Sequence, residues 1–191
     1  MGFRVIVGLT GHFGLDQTLA LKRAALHVMR RNPVTILPAT EYDMTTDAGY
    51  LGDHAGIGET SLLWAIRPEL VKLAAVPPEA ALDGVLGQDP RGQASPEHGQ
   101  HLLALIAERT AEVARRLLTQ TSALERQDYV EALASGVRVL QVTAAERAAK
   151  PKAAVPSLNT PSYLAYCQAI YRGDYRAARA AAERKLLNLA D

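Results

Sequence analysis

The chain has 191 residues, 48% of them hydrophobic, which is long enough for one domain with a substantial core. Lysine and arginine number 21 against 20 aspartates and glutamates, so no excess of positive charge draws it to nucleic acid or to an anionic membrane, and small-molecule chemistry or protein contacts are expected instead. The single cysteine, Cys167, excludes an internal disulfide and a cysteine-based metal cluster; no apolar run reaches the roughly 20 residues of a membrane span, and FRVIVGL after Met1 lacks a cleavage region, so a cytoplasmic location is the expectation.

Phe3 to Leu9, FRVIVGL, is a short apolar run rich in β-branched residues, the pattern of a strand buried on both faces of a parallel sheet. After TGHFGLD, the segment QTLALKRAALHVMRR sets Leu21, Ala24, Ala25 and Val28 on one helical face, with Asp16 as the expected cap and Asn32 and Pro33 as the stop. VTILPA is a second strand, so residues 3–39 read as a βαβ unit. The polar stretch EYDMTTDAGYLGDHAG is predicted as a long loop, followed by a helix from Glu59 to about Ile66 that breaks at Arg67 and Pro68.

A second irregular stretch, PPEAALDGVLGQDPRGQA, ends at Ser95 and Pro96, a serine cap with proline at the first helical position. The long helix it opens carries Leu102, Ile106, Val113 and Leu117 in a stripe. Beyond Gln120 a helix runs through Tyr129 and Leu133, a segment VRVLQV is left unassigned by its pattern, and KPKAAVP reads as an exposed linker. The tail is predicted as a helical hairpin, with Thr160 and Pro161 starting one helix, Gly173 ending it and Asp174 capping the next.

Chemistry-bearing residues gather in two places. Gly11, His12 and Gly14 lie in the loop at the carboxyl end of the first strand, where open parallel sheets bind ligands. The spacing GHFG fits neither the dinucleotide fingerprint nor the P-loop, and a tight turn explains the glycines equally well. Residues 53–61, DHAGIGETS, hold a histidine, two carboxylates and two hydroxyls at a helix start. Glu59 there suits the helix dipole, and Thr60 and Ser61 suit capping. An imidazole and a carboxylate are also what a divalent metal takes, with Asp53 as a further oxygen ligand or an orienting group behind it. On the residues alone both readings stand.

Three segments resemble the creatininase family. GLTGHFGLDQTLAL is similar to its TGHGGNxxAL loop, DHAGIGETSLLWAIRPELV to its HAGxxETSLMLALRPDLV segment, and LGQDPRGQASPEHGQHLLALI to the GDPxxAT stretch leading into its last long helix. They occur in the family's order and cover roughly residues 3–118. The resemblance implies a three-layer α/β/α domain with a mainly parallel sheet, incomplete at its N-terminal side, over residues 1–120; it does not cover residues 121–191, whose own pattern reads as a helical C-terminal extension, hairpin included, packed on that domain or on a partner.

The resemblance also implies a metal-dependent hydrolase acting on a C–N bond of a small, cyclic, amide-like substrate. His12 and Glu59 would serve a divalent metal, zinc or manganese, His54 would move protons at the scissile bond, and Phe13 and Asp53 would meet the substrate. In that family an earlier segment of the form EQHGPHLPLxTD supplies three further ligands, and no such segment occurs here; Gly14 also stands where creatininase-like members carry a glutamate ligand. The metal site is therefore expected to be incomplete in this chain alone, its other ligands coming from another chain in a homo-oligomer or hetero-oligomer. The alternative is a noncatalytic binding or assembly subunit that retains the fold.

Overall fold

The computed structural model describes residues 2–11, 14–120, 122–149 and 160–188. Strand β1 (Val5–Thr10) and strand β2 (Thr35–Thr40) pair in parallel, from Val5 beside Thr35 to Thr10 beside Thr40. Helix α1 (Leu15–Met29) connects them, completing the expected βαβ unit in a mixed α/β molecule. Among the described residues this pair is the whole sheet.

That limited sheet corrects the reading of β1 as a core strand. Phe3, Ile6, Val7 and Leu9 are 65%, 42%, 39% and 44% exposed, whereas β2 is almost wholly buried. An apolar pattern records that a strand has a surface to cover, not which element covers it. The covering groups come from far along the chain: the Tyr129 hydroxyl donates to the Ile36 carbonyl of β2 at 2.8 Å, and Arg126 reaches the carbonyls of Met29, Asn32 and Val34, in the turn that leads into β2, at 2.5 to 3.1 Å.

Helix α1 departs from its expected face. Its buried residues are Leu15, Thr18, Lys22, Ala25, Leu26 and Met29, while Leu21 and Val28 are half-buried and Ala24 is exposed. Gly14 occupies the cap position, and Asp16 lies in the first turn, where its charge still suits the helix dipole. The rotation brings Lys22 inward. Its Nζ lies 3.0 Å from Asp43 Oδ2 and 3.4 Å from the Pro38 carbonyl. Asp43 also accepts from the Thr40 amide at 2.9 Å and from Cys167 Sγ at 3.4 Å. Burial alone pulls the Lys22 ammonium down, but the Asp43 carboxylate, with Cys167 and the hydrogen bond, outweighs it and holds the group above its ordinary value.

Helix α2 (Ile57–Ile66) ends before Pro68, and helix α3 (Pro96–Thr119) opens at Ser95, whose Oγ accepts from the His98 amide at 3.1 Å. The predicted stripe Leu102, Ile106, Val113 and Leu117 is its buried face. Gly99 is where α2 and α3 touch: a Cβ there would lie 1.9 Å from the Ser61 carbonyl oxygen. A glycine inside a helix costs roughly 0.5–1 kcal/mol relative to alanine, and close backbone approach offsets that. Gly99→Ala is therefore expected to destabilise the chain by roughly 1–3 kcal/mol, the usual range for overpacking. Urea denaturation reads this as a lowered midpoint, and an unchanged or raised midpoint would show that the helices can separate freely.

Helix α4 (Ala123–Ala149) absorbs the unassigned VRVLQV. Val137, Val139 and Leu140 are all buried because α4 packs against both α1 and α6 (Tyr175–Leu187), which hides more than one of its faces. Helix α5 (Pro161–Arg172) ends at Gly173 in a left-handed conformation, φ 78°, and Asp174 Oδ1 caps α6 by accepting from the Ala177 amide at 2.9 Å. Thr160 precedes Pro161 as expected, without a side-chain capping bond. Arg116 of α3 donates to the carbonyls of Ile170 and Tyr171 at the end of α5, where a cation meets the negative helix terminus. The linker KPKAAVP lies outside the described residues.

Candidate functional site

Because β1 and β2 run in the same direction, Thr10 and Gly11 end beside Thr40 and Glu41. Carboxyl ends of parallel strands are where such sheets bind ligands. Glu41 Oε1 accepts from the Tyr50 hydroxyl at 2.9 Å, and a Cβ placed on Gly11 would lie 3.2 Å from Glu41 Oε2. Glu41 thus stands against Gly11 at the end of β1. Burial pushes its carboxyl above the ordinary range; the Tyr50 hydrogen bond pulls it down, and the nearby charges of Glu59 and Asp53 push it up again. The Tyr50 hydroxyl is likewise raised, by burial first and then by the Glu41 charge.

Tyr50 leads directly to the second group of residues. Its ring lies over Gly58, where a Cβ would come within 2.2 Å of ring carbons. Asp53 accepts from the amides of Gly58 at 2.7 Å and Glu59 at 2.9 Å, so both of its oxygens satisfy the amino end of α2. Its side chain also fills the space that a Cβ on Gly56 would need, at 2.6 Å. Gly56 and Gly58 are therefore required by Asp53 and Tyr50 respectively.

His54 and Glu59 are brought together. The Nδ1 to Oε1 distance is 3.6 Å, beyond a hydrogen bond and within reach of an ion pair when the imidazole is protonated. Glu59 Oε2 accepts from the Ala55 amide at 3.0 Å, and Ala55 takes the left-handed φ of 50° that turns the loop into the helix. The His54 backbone is fixed by two bonds to Leu86, 2.8 and 2.9 Å. Its side chain is 45% exposed, so the ring stands at the surface of the site with Nδ1 toward the Glu59 carboxylate.

His12 and Phe13 lie outside the described residues. Among the described residues no group of three or more histidine, cysteine, aspartate or glutamate side chains is placed to hold a metal ion. Asp53 and one oxygen of Glu59 are already occupied by amides, so these residues do not form a metal centre by themselves. The geometry they do make is an imidazole beside the Glu59 carboxylate at the amino end of α2.

A family model described as "Creatininase: Creatinine amidohydrolase" matches residues 1–114. The chain belongs to the creatininase family. No curated protein and no solved structure gives a match. Membership in the creatininase family points to an amidohydrolase type of activity, and the matched residues include both clusters just described. Among the described residues no helix is long and apolar enough to cross a membrane.

Glu41 and Tyr50 escaped sequence reasoning, which placed them in an undifferentiated polar loop. One signal was available: an acidic residue immediately after VTILPAT, at the carboxyl end of a strand in a parallel pair, occupies a position where side chains face ligands.

Proposed function

We propose that this creatininase-family chain is a metal-dependent hydrolase of a C–N bond in a small, cyclic, amide-like substrate, with part of its metal site supplied by another chain. The observation that supports the reading is the pairing of His54 with Glu59 at the start of α2, inside the residues that match the family. His54 passes a proton to the leaving nitrogen, which a ring half-exposed to solvent beside a carboxylate is suited to do. His12 and Glu59 serve a zinc or manganese ion, which supplies Lewis acidity and a readily ionised water when bound. Phe13 is assigned to substrate binding, and Asp53 acts there by fixing the α2 terminus on which Glu59 sits.

The exposed apolar side chains of β1 support the part assigned to another chain, since an uncharged edge strand that leaves such side chains bare is a surface that proteins ordinarily cover. In the completed assembly the two-stranded sheet becomes part of the family's three-layer arrangement, and the α5 and α6 hairpin belongs to a C-terminal extension from 121 onward. A noncatalytic binding or assembly subunit is the second reading, favoured by the lack of three converging ligands among the described residues.

Elemental analysis tests the division of the site. After exhaustive dialysis the purified chain is expected to retain clearly less than one zinc or manganese per molecule, because a catalytic site ordinarily needs about three protein ligands. Two tightly held metals in a homogeneous sample would overturn it. Ring-opened product from creatinine or another small cyclic amide, formed by the metal-loaded assembly, supports the hydrolase; its absence across such a panel favours the noncatalytic subunit.

A further inference from the structure

The family match ends at residue 114, and helix α5 lies beyond it. Residues 41–50, which join β2 to the loop of His54, carry Glu41 at one end and Tyr50 at the other. The segment is folded by short-range bonds: the Met44 amide donates to the Glu41 carbonyl at 3.1 Å, the Thr45 amide to the Tyr42 carbonyl at 2.9 Å, and the Thr45 hydroxyl to the Tyr50 carbonyl at 3.0 Å. Helix α5 reaches it at two places. The Cys167 thiol donates to Asp43 Oδ1 at 3.4 Å, on the carboxylate whose other oxygen takes the Thr40 amide and Lys22. Four residues on, and so on the same helical face, the Tyr171 ring lies against Arg109 of α3, with 5.4 Å between guanidinium carbon and ring centroid. Arg109 in turn donates to the Met44 carbonyl and to the Asp47 carboxylate. The Tyr171 hydroxyl donates to Glu112 of the same helix, so the ring is fixed at its far end as well.

We propose that α5 is a positioning element for the candidate site, with Cys167 and Tyr171 holding residues 41–50 so that the Glu41 carboxylate meets the Tyr50 hydroxyl. The regular structure inside the segment is one 3₁₀ turn, Tyr42–Met44, a geometry with poorer hydrogen bonds than an α-helix. A segment folded by such bonds opens at a small cost in free energy unless other elements anchor it. Asp43 and Arg109 are the anchors, and α5 supplies a partner to each. What they hold matters at α2 too, because the Tyr50 ring packs on Gly58. Any effect on turnover rests on the hydrolase reading; the ordering of the segment rests on these contacts.

Amide hydrogen exchange of the full chain, followed residue by residue in NMR spectra, tests the assignment. Cys167→Ala and Tyr171→Leu are each expected to speed exchange at Met44, Thr45 and Ala48 roughly three- to tenfold, the scale of one lost hydrogen bond or cation–π contact. The amides of Leu62 and Leu63, inside α2, should keep their rates. Cys167→Ser should restore the wild-type rates, because its hydroxyl can still donate to Asp43. Equal acceleration at every amide would reduce both residues to general packing and overturn the proposal, as would a serine variant as fast as the alanine one or no acceleration in either variant. In the metal-loaded assembly Cys167→Ala and Tyr171→Leu should lower kcat roughly threefold or more at unchanged metal content, since small misplacements slow a chemical step. Local acceleration with wild-type turnover would overturn the positioning role. An assembly that hydrolyses nothing while the exchange pattern holds would defeat the hydrolase reading and leave the grip of α5 on the segment standing.

Discussion

Replacing Asp43 by alanine is expected to cost about 3–5 kcal/mol of stability, the usual result of removing one member of a buried ion pair. Lys22 and Asp43 are 6% and 7% exposed, and the alanine variant would leave an ammonium inside with its carboxylate partner gone and the Pro38 carbonyl 3.4 Å away. Three parts of the fold come apart at that point, because Asp43 also holds the Thr40 amide at the end of β2 and the Cys167 thiol of α5. Urea denaturation at neutral pH should show the loss as a large fall in midpoint. Adding Lys22→Met to the alanine variant should recover much of it, since the stranded charge is then gone. If Asp43→Ala alone lay within about 1 kcal/mol of the wild type, the ordinary effect of a point change, the pair would not be what joins α1, β2 and α5.

His54→Ala is expected to lower the chemical step of the metal-loaded assembly by roughly a hundredfold or more, the contribution typical of a general acid or base. Metal content and the unfolding midpoint should be nearly unchanged, because the loop is held by the His54 backbone bonds to Leu86 and by Asp53, and the variant keeps both. Single-turnover product formation separates this effect from substrate binding. Full activity in the variant would remove the imidazole from the reaction. A collapsed fold would make it a structural residue, and the hydrolase proposal would lose its strongest local support.

Much of the architecture follows from local signals. The two strands, the stop of α2 before Pro68, the Ser95 and Pro96 opening of α3 and the Gly173 and Asp174 joint between α5 and α6 all appear where their residue types place them. Each depends on backbone chemistry within a few residues: a missing amide at proline, a serine oxygen over exposed amides, a glycine able to turn left-handed. Where burial depends on distant elements, the pattern misleads. VRVLQV alternates in a way that suits strand and helix alike, and only packing of α4 against α1 and α6 explains why so many of its residues are hidden. Lys22 lies off the apolar face predicted for α1, and only Asp43, 21 residues later, provides the counter-charge that lets it be buried.

The sequence by itself determined the βαβ start, the family and the nonapeptide in which His54 and Glu59 meet, because strand, turn and helix-start chemistry is local and the motif is contiguous. The tertiary structure decided which face of α1 is inside, that β1 has a bare apolar side, and that both oxygens of Asp53 serve the α2 amides. It also brought Glu41 to Tyr50 and set Cys167 of α5 against Asp43. Those outcomes depend on partners many residues apart meeting in space, and a one-dimensional spacing of residue types carries no record of the distances between them.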